Sequence, residues 1–218
     1  MIHSLADLHR YQEQDLAAHQ LPRWRWFMRF THPVLLFQRK LRRTEYILNC
    51  LTGPVWGPFR ALSRRSLRVS GMKLGFTISA NIFGPGLSIA HWGTIVVNPD
   101  CRVGARCRIH PGVCLGWKDG KVPTAGDDCY LGPGAKVYGG VVLPHRTRVG
   151  PNAVISRSPE SEGAILVSPR AVDLLATRAE RALSLADATT QISGSARIGP
   201  ERVADDCSAI DFCELAGL

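Results

Sequence analysis

From Val97 to Cys114 the chain reads VNPDCR, VGARCR, IHPGVC, and from Ala125 to Val154 it reads AGDDCY, LGPGAK, VYGGVV, LPHRTR, VGPNAV. The period is six. The first residue of every unit is apolar: Val97, Val103, Ile109, Ala125, Leu131, Val137, Leu143 and Val149. The fifth is small or β-branched: Cys101, Cys107, Val113, Cys129, Ala135, Val141, Thr147 and Ala153. A helix would repeat its apolar face every 3.6 residues and a strand every 2, so neither explains the pattern. Units with one large and one small inward residue suit a prism of short parallel strands. Three units close a coil of about 18 residues, and coils stack at about 4.8 Å. The cysteines at the small inward position, Cys101, Cys107 and Cys129, are read as core fillers.

Two units break the period, and breaks in a solenoid are where function concentrates. IAHWGTIV, from Ile89 to Val96, is two residues too long and carries His91; LGWKDGKVPT, from Leu115 to Thr124, is four too long and predicts a protruding loop. Before the prism, residues 1–75 have helical character, in LADLHRYQEQDLAAH, PVLLFQRKLRRTEYILNCL and PFRALSRRSLRV, with Pro22, Pro33 and Pro54 between the pieces. After it, AILVS predicts a short strand and residues 169–191 a helix, and the tail ISGSARIGPERV briefly mimics two hexads. The predicted organisation is a basic helical region over 1–75, the prism over 76–168, and a C-terminal helix and tail over 169–218.

Charge is uneven. Residues 1–75 hold 13 Lys/Arg against 4 Asp/Glu, the rest 14 against 14, so the net +9 belongs to the first third. An acidic partner or anionic membrane suits that region, as does a plainly solvated basic surface. In PRWRWFMRF, from Pro22, cations alternate with aromatics; both membrane contact through residues 22–43 and packing between subunits are open readings. No nucleic-acid-binding motif accompanies the charge, so nucleic acid is not an expected partner. The N-terminus lacks a signal-peptide pattern and the apolar runs are too short to span a bilayer, giving an expected location in the cytoplasm, or at the inner face of its membrane. Seven cysteines without a C-x-x-C pair make sulfur ligation of a metal unexpected.

The stretch KLGFTISANIFGPGLSIAHWGTIVVN, with CRIHPGVCLG and YLGPGAKVYGGVVL, resembles the hexapeptide-repeat acyltransferases. It is most similar to serine acetyltransferase-like members encoded with bacterial surface-polysaccharide genes, over roughly residues 1–158. The resemblance implies a mainly β fold, a left-handed parallel β-helix with an N-terminal helical region. It also implies a homotrimer with active sites between subunits, acetyl-CoA as co-substrate, no metal, and a His general base. Serine acetyltransferases carry LDHATG where this chain has IAHWGT: the His is kept as His91, but Ala90 stands where an Asp does. The Asp that partners their catalytic His aligns with Thr77, and an Arg-His-Pro in their loop with Lys121, Val122 and Pro123. The expected acceptor is therefore a hydroxyl of a sugar or glycan precursor or of a serine-like small molecule, with serine itself as the alternative.

Transfer from a thioester to an alcohol needs a base for the hydroxyl proton, and imidazole suits it. His91 takes that role. Counting coils makes His110 its lateral neighbour, read as orienting His91 or binding the acceptor, the plain alternative being a solvent-facing side chain. Below them Gly132 and Gly150, with Pro133 and Pro151, form a glycine track expected to carry the pantetheine arm of CoA. By resemblance, Ser156, Arg157 and Lys136 hold the donor's far end. Trp92, Trp117, Lys118 and Lys121 are the candidate acceptor contacts, with the loop folding over the pocket. A zinc enzyme of carbonic-anhydrase type would need His91, His110 and His145 to converge, and a non-catalytic scaffold would need neither the broken repeat nor the glycines.

Overall fold

The computed structural model describes residues 1–168; the predicted C-terminal helix and the hexad-like tail lie outside the described residues. The prism is a left-handed parallel β-solenoid of about five turns preceded by helices. Its first sheet stacks β1 (Phe76–Thr77), β3 (Ile95–Val97), β6 (Cys114–Gly116), β9 (Lys136–Tyr138) and β12 (Val154–Ile155). The second holds β4 (Arg102–Val103), β7 (Thr124–Ala125) and β10 (Val142–Leu143). The third holds β2 (Ser88–Ile89), β5 (Arg108–Ile109), β8 (Tyr130–Leu131), β11 (Arg148–Val149) and β13 (Ile165–Leu166), the last being the strand read from AILVS.

Register confirms the counting. In the third sheet Ile89 pairs with Ile109, 20 residues on; Ile109 pairs with Leu131, 22 on; Leu131 pairs with Val149, 18 on. The two long coils are the two whose sequence breaks the period. Inward residues are almost all sealed: Ile109, Leu131, Val137 and Val149 are fully buried, and so are Cys101 and Thr147 at the small position. Within the eight hexads only Ala125, the smallest of the large-position residues, is partly exposed.

The helices are α1 (Leu5–Ala18), α2 (Met28–Thr31), α3 (Pro33–Cys50) and α4 (Gly57–Leu74), the last preceded by a 3-10 turn at Pro54–Trp56. Ser4 caps α1, its hydroxyl accepting from the Asp7 amide at 3.0 Å. Pro33 opens α3 at its first turn, where its missing N–H costs nothing. Val34, Phe37 and Leu41 of α3 and Leu67 of α4 share one core with the first coil, and Phe37 meets Phe76 edge to face at 5.1 Å.

A polar weld reinforces that junction. The fully buried Arg42 guanidinium donates to Asp15 at 2.8 Å and to Glu45 at 3.0 Å. It also donates to the carbonyls of Phe83 at 2.8 Å and Gly84 at 2.7 Å. Asp15 accepts from the Leu87 amide at 2.8 Å, Glu45 from the Asn81 amide at 2.9 Å, and the Gln38 amide donates to the Leu87 carbonyl at 2.6 Å. The weld thus fixes residues 81–87, the segment that enters β2.

Candidate active site

The extra residues after β2 form a bulge that lifts His91 and Trp92 into solvent. The bulge is tied down at its far side: the Gly93 amide donates to the Leu74 carbonyl at 2.9 Å and the Ile95 amide to Gly75 at 3.0 Å. Gly75 ends α4 with φ +80°, and a Cβ there would lie 2.9 Å from the Gly93 backbone. Only glycine meets both demands. The end of α4 therefore seats the histidine bulge.

His110 lies one coil along the same corner, beyond β5, where Ala90 donates its amide to Ile109 at 3.0 Å. Its ring packs against Tyr130 with centroids 5.1 Å apart, and its Nε2 is buried without a hydrogen-bond partner among the described residues. Burial pushes its pKa below the ordinary histidine value, helped by the nearby charges of Arg108 and His91. The lowered pKa keeps the imidazole neutral at neutral pH. Among the described residues the one His–carboxylate pair is His145 with Asp127, at 3.8 Å, on another corner of the prism. Among the described residues His91 accordingly has no carboxylate partner, as Ala90 and Thr77 imply. No three His, Cys, Asp or Glu side chains converge among the described residues.

The remaining candidates divide between two edges of the first sheet. Thr94 levels with Gly112, whereas Gly116 pairs with Tyr138 and Ile155 with Val137. His91, Trp92, His110, Gly132, Pro133, Gly150 and Pro151 thus precede the strands of that sheet; Trp117, Lys118, Lys121, Ser156 and Arg157 follow them. About four to five residues of strand, on the order of 15 Å, separate the two edges. In one chain the loop lies away from that chain's own histidines, because it leaves the far end of β6. It makes instead a tight turn with Lys118 and Lys121 exchanging backbone hydrogen bonds at 2.9 and 3.0 Å, and lies over Gly139 and Gly140. Trp92 and Trp117 are both exposed.

The glycine track has a different cause from the one its composition suggested. A Cβ on Gly132 would meet the Val149 carbonyl oxygen at 2.8 Å, and one on Gly150 the Leu166 carbonyl oxygen at 3.2 Å. The missing side chains point into the next coil, so they permit close stacking and do not open a groove. Lys136 is also engaged: its ammonium donates to the carbonyls of Gly112 at 2.7 Å and Gly134 at 3.0 Å, latching the corner. Ser156 and Arg157 are exposed and unengaged by hydrogen bonds among the described residues. Sequence reasoning missed Gly75 and the weld; the Gly-Phe pair after a helix hinted at the first. A cavity of about 560 Å³ beside Arg64, Arg68 and Phe76 excludes both histidines.

No family model matches the chain. The serine acetyltransferase of Helicobacter pylori (strain J99) is 34% identical over 100 residues, 44% of this chain and 57% of that protein. The one from Synechococcus elongatus is 32% identical over 90 residues, 39% of this chain and 37% of that protein. The matches span 57% of the first relative and little more than a third of the second. Among solved structures, serine acetyltransferase isoform 3 of Entamoeba histolytica, in complex with cysteine, superposes with a TM-score of 0.61 at 19% identity, over 77% of this chain and 60% of that one. A serine acetyltransferase in complex with CoA gives 0.58 at 21% identity, over 77% and 70%. Over the β-helix the chain is thus similar in sequence to serine acetyltransferases, and it shares their fold.

Proposed function

We propose that the chain is an acetyl-CoA-dependent O-acetyltransferase that acts on the hydroxyl of a serine-like small molecule. The relatives favour such an acceptor over a sugar, since those matched in sequence are serine acetyltransferases. The observation that carries the reading is the 20-residue coil, which raises His91 beside a neutral His110 whose Nε2 has no protein partner. His91 takes the acceptor's proton as its oxygen attacks the thioester carbonyl. The tetrahedral intermediate then collapses, expelling the CoA thiolate, which receives the proton. His110, against Tyr130, hydrogen-bonds the acceptor or the intermediate. Arg157 and Ser156 suit the donor's phosphate end, a charge-assisted contact.

Histidine edge and loop edge lie too far apart in one chain for both to touch one small acceptor. A homotrimer, in which the histidine edge of one subunit faces the loop edge of the next, brings Trp117, Lys118 and Lys121 to the acceptor. Release of CoA thiol, followed with L-serine, homoserine and nucleotide sugars in turn, tests the activity. His91→Ala should lower the rate by about 10²–10⁴-fold and leave the melting temperature unchanged, because the side chain is exposed. Near-normal turnover in that variant would remove His91 as the base.

A further inference from the structure

Residues 23–30 carry a feature that the acetyl-transfer chemistry does not use. Met28 is buried with Leu16 and Leu35, Trp24 packs against them, and Arg39 lies over the Trp24 ring at 4.6 Å, so the segment is firmly held. What it holds outward is apolar: Trp26 is 73% exposed, Phe30 71% and Phe27 41%. The three rings pack on one another edge to face, Trp26 lying 6.4 Å from Phe27 and 6.3 Å from Phe30. Arg23, Arg25 and Arg29, all exposed, surround them. A projecting cluster of this size on a fixed scaffold marks a contact surface.

Its charge selects the partner. From Leu16 to Pro99 the sequence has twelve Lys/Arg and a single acid, Glu45. Glu45 is buried against Arg42, which leaves eleven cations with no acid in this stretch to offset them. Two copies of such a face would repel, which argues against a self-complementary contact. The rings are occupied with each other, which leaves no flat platform for stacked bases. An aromatic wedge flanked by arginines suits the headgroup layer of a bilayer, where Trp enters the interface and guanidiniums meet lipid phosphate. Among the described residues no helix is long and apolar enough to cross a membrane, so the contact is peripheral.

We propose that Trp26, Phe27 and Phe30, with Arg23, Arg25 and Arg29, form a docking surface for an anionic phospholipid membrane. The test is vesicle flotation with the full chain, using phosphatidylcholine alone or with about one-third phosphatidylglycerol. Wild type should bind the anionic vesicles about tenfold or more tightly than the neutral ones, and less at high salt. Trp26→Ser/Phe30→Ser should lose about tenfold or more on anionic vesicles, and Arg25→Gln/Arg29→Gln should lose binding selectively there. Both variants should keep wild-type melting temperature and hydrodynamic mass. Equal flotation of wild type and the aromatic variant would overturn the proposal, as would no flotation at all. A lower mass for Trp26→Ser/Phe30→Ser would overturn it in favour of a subunit contact, and tighter binding to an oligonucleotide than to vesicles in favour of nucleic acid. None of these outcomes depends on acetyl transfer.

Discussion

The β-helix and the helical region fill their interiors by different rules. In the β-helix the inward positions are aliphatic residues, cysteines and alanines, with Thr147 as the one buried hydroxyl among the repeat positions. Each coil meets only its neighbours, at one spacing, so a six-residue pattern suffices to build it. The helical region buries Arg42, Asp15, Glu45 and Gln38, whose partners are on the first coil and on each other. Burying charge costs several kcal/mol per ion in general and is tolerated only with full pairing. The difference teaches where specificity resides: repetition builds the prism, and one satisfied polar cluster fixes how the helices sit upon it.

The largest expected effect comes from breaking that cluster. Arg42→Ala should cost about 3–5 kcal/mol, because Asp15 and Glu45 stay buried without their cation. Urea unfolding followed by fluorescence can divide the loss, since Trp24, Trp26 and Trp56 report on the helices and Trp92 and Trp117 on the β-helix. The helical signal should move to lower urea first. Replacing all three charges together, as Asp15→Leu/Arg42→Met/Glu45→Leu, should restore much of the stability while loosening the helices' placement. A single coincident transition, unmoved in Arg42→Ala, would contradict the division between the two regions.

This contrast also explains what the sequence could tell. The pairing of Ile89, Ile109 and Leu131 was legible because each coil repeats its neighbour, so counting was enough even across both insertions. The existence of α1, α3 and α4 was legible from their composition and prolines. The weld was not, because Arg42 meets Asp15 across 27 residues and Gly84 across 42, and nothing local marks such pairs. His91 and His110 were placed together correctly, one strand apart. The protrusion of the loop was legible, but the end of the strand it leaves by shows only against the register, so the sequence did not tell which subunit's histidines it would lie beside. Gly132 was misread because sequence records a missing side chain but not the direction in which it would point.

Glycine substitution sharpens the same contrast at intermediate scale. At Gly132 a methyl group would press on the Val149 carbonyl and the Gly150 backbone of the next coil. Gly132→Ala should therefore cost about 1–3 kcal/mol, as overpacking does. Gly57, at the start of α4, has open space where a Cβ would go and a helical backbone. Gly57→Ala should be neutral or stabilising by about 0.4–1 kcal/mol, chiefly by restricting the unfolded chain. Equal effects of the two changes on the melting temperature would mean that coil spacing yields more than the geometry implies.

The smallest expected effect sets one histidine of each region against the other. His19 sits beneath the helices, its Nε2–H donating to the Gln38 oxygen at 2.8 Å, and burial lowers its pKa from the ordinary value. His110 is lowered for the same first reason, with Arg108 and His91 adding to it. In both cases the unfolded chain binds a proton at a pH where the folded chain does not. Stability is therefore full above the ordinary histidine value of about 6.5 and declines as pH falls below it towards the folded-state values. His19 is the more enclosed of the two, so its share of the decline should be larger. Melting temperatures of wild type, His19→Asn and His110→Asn between about pH 7.5 and 5 measure each share as a loss of slope. The flatter profile should belong to His19→Asn. A flatter profile for His110→Asn would mean that the corner beside His91 is drier than the helix junction, and would reverse the order of burial on which the comparison rests.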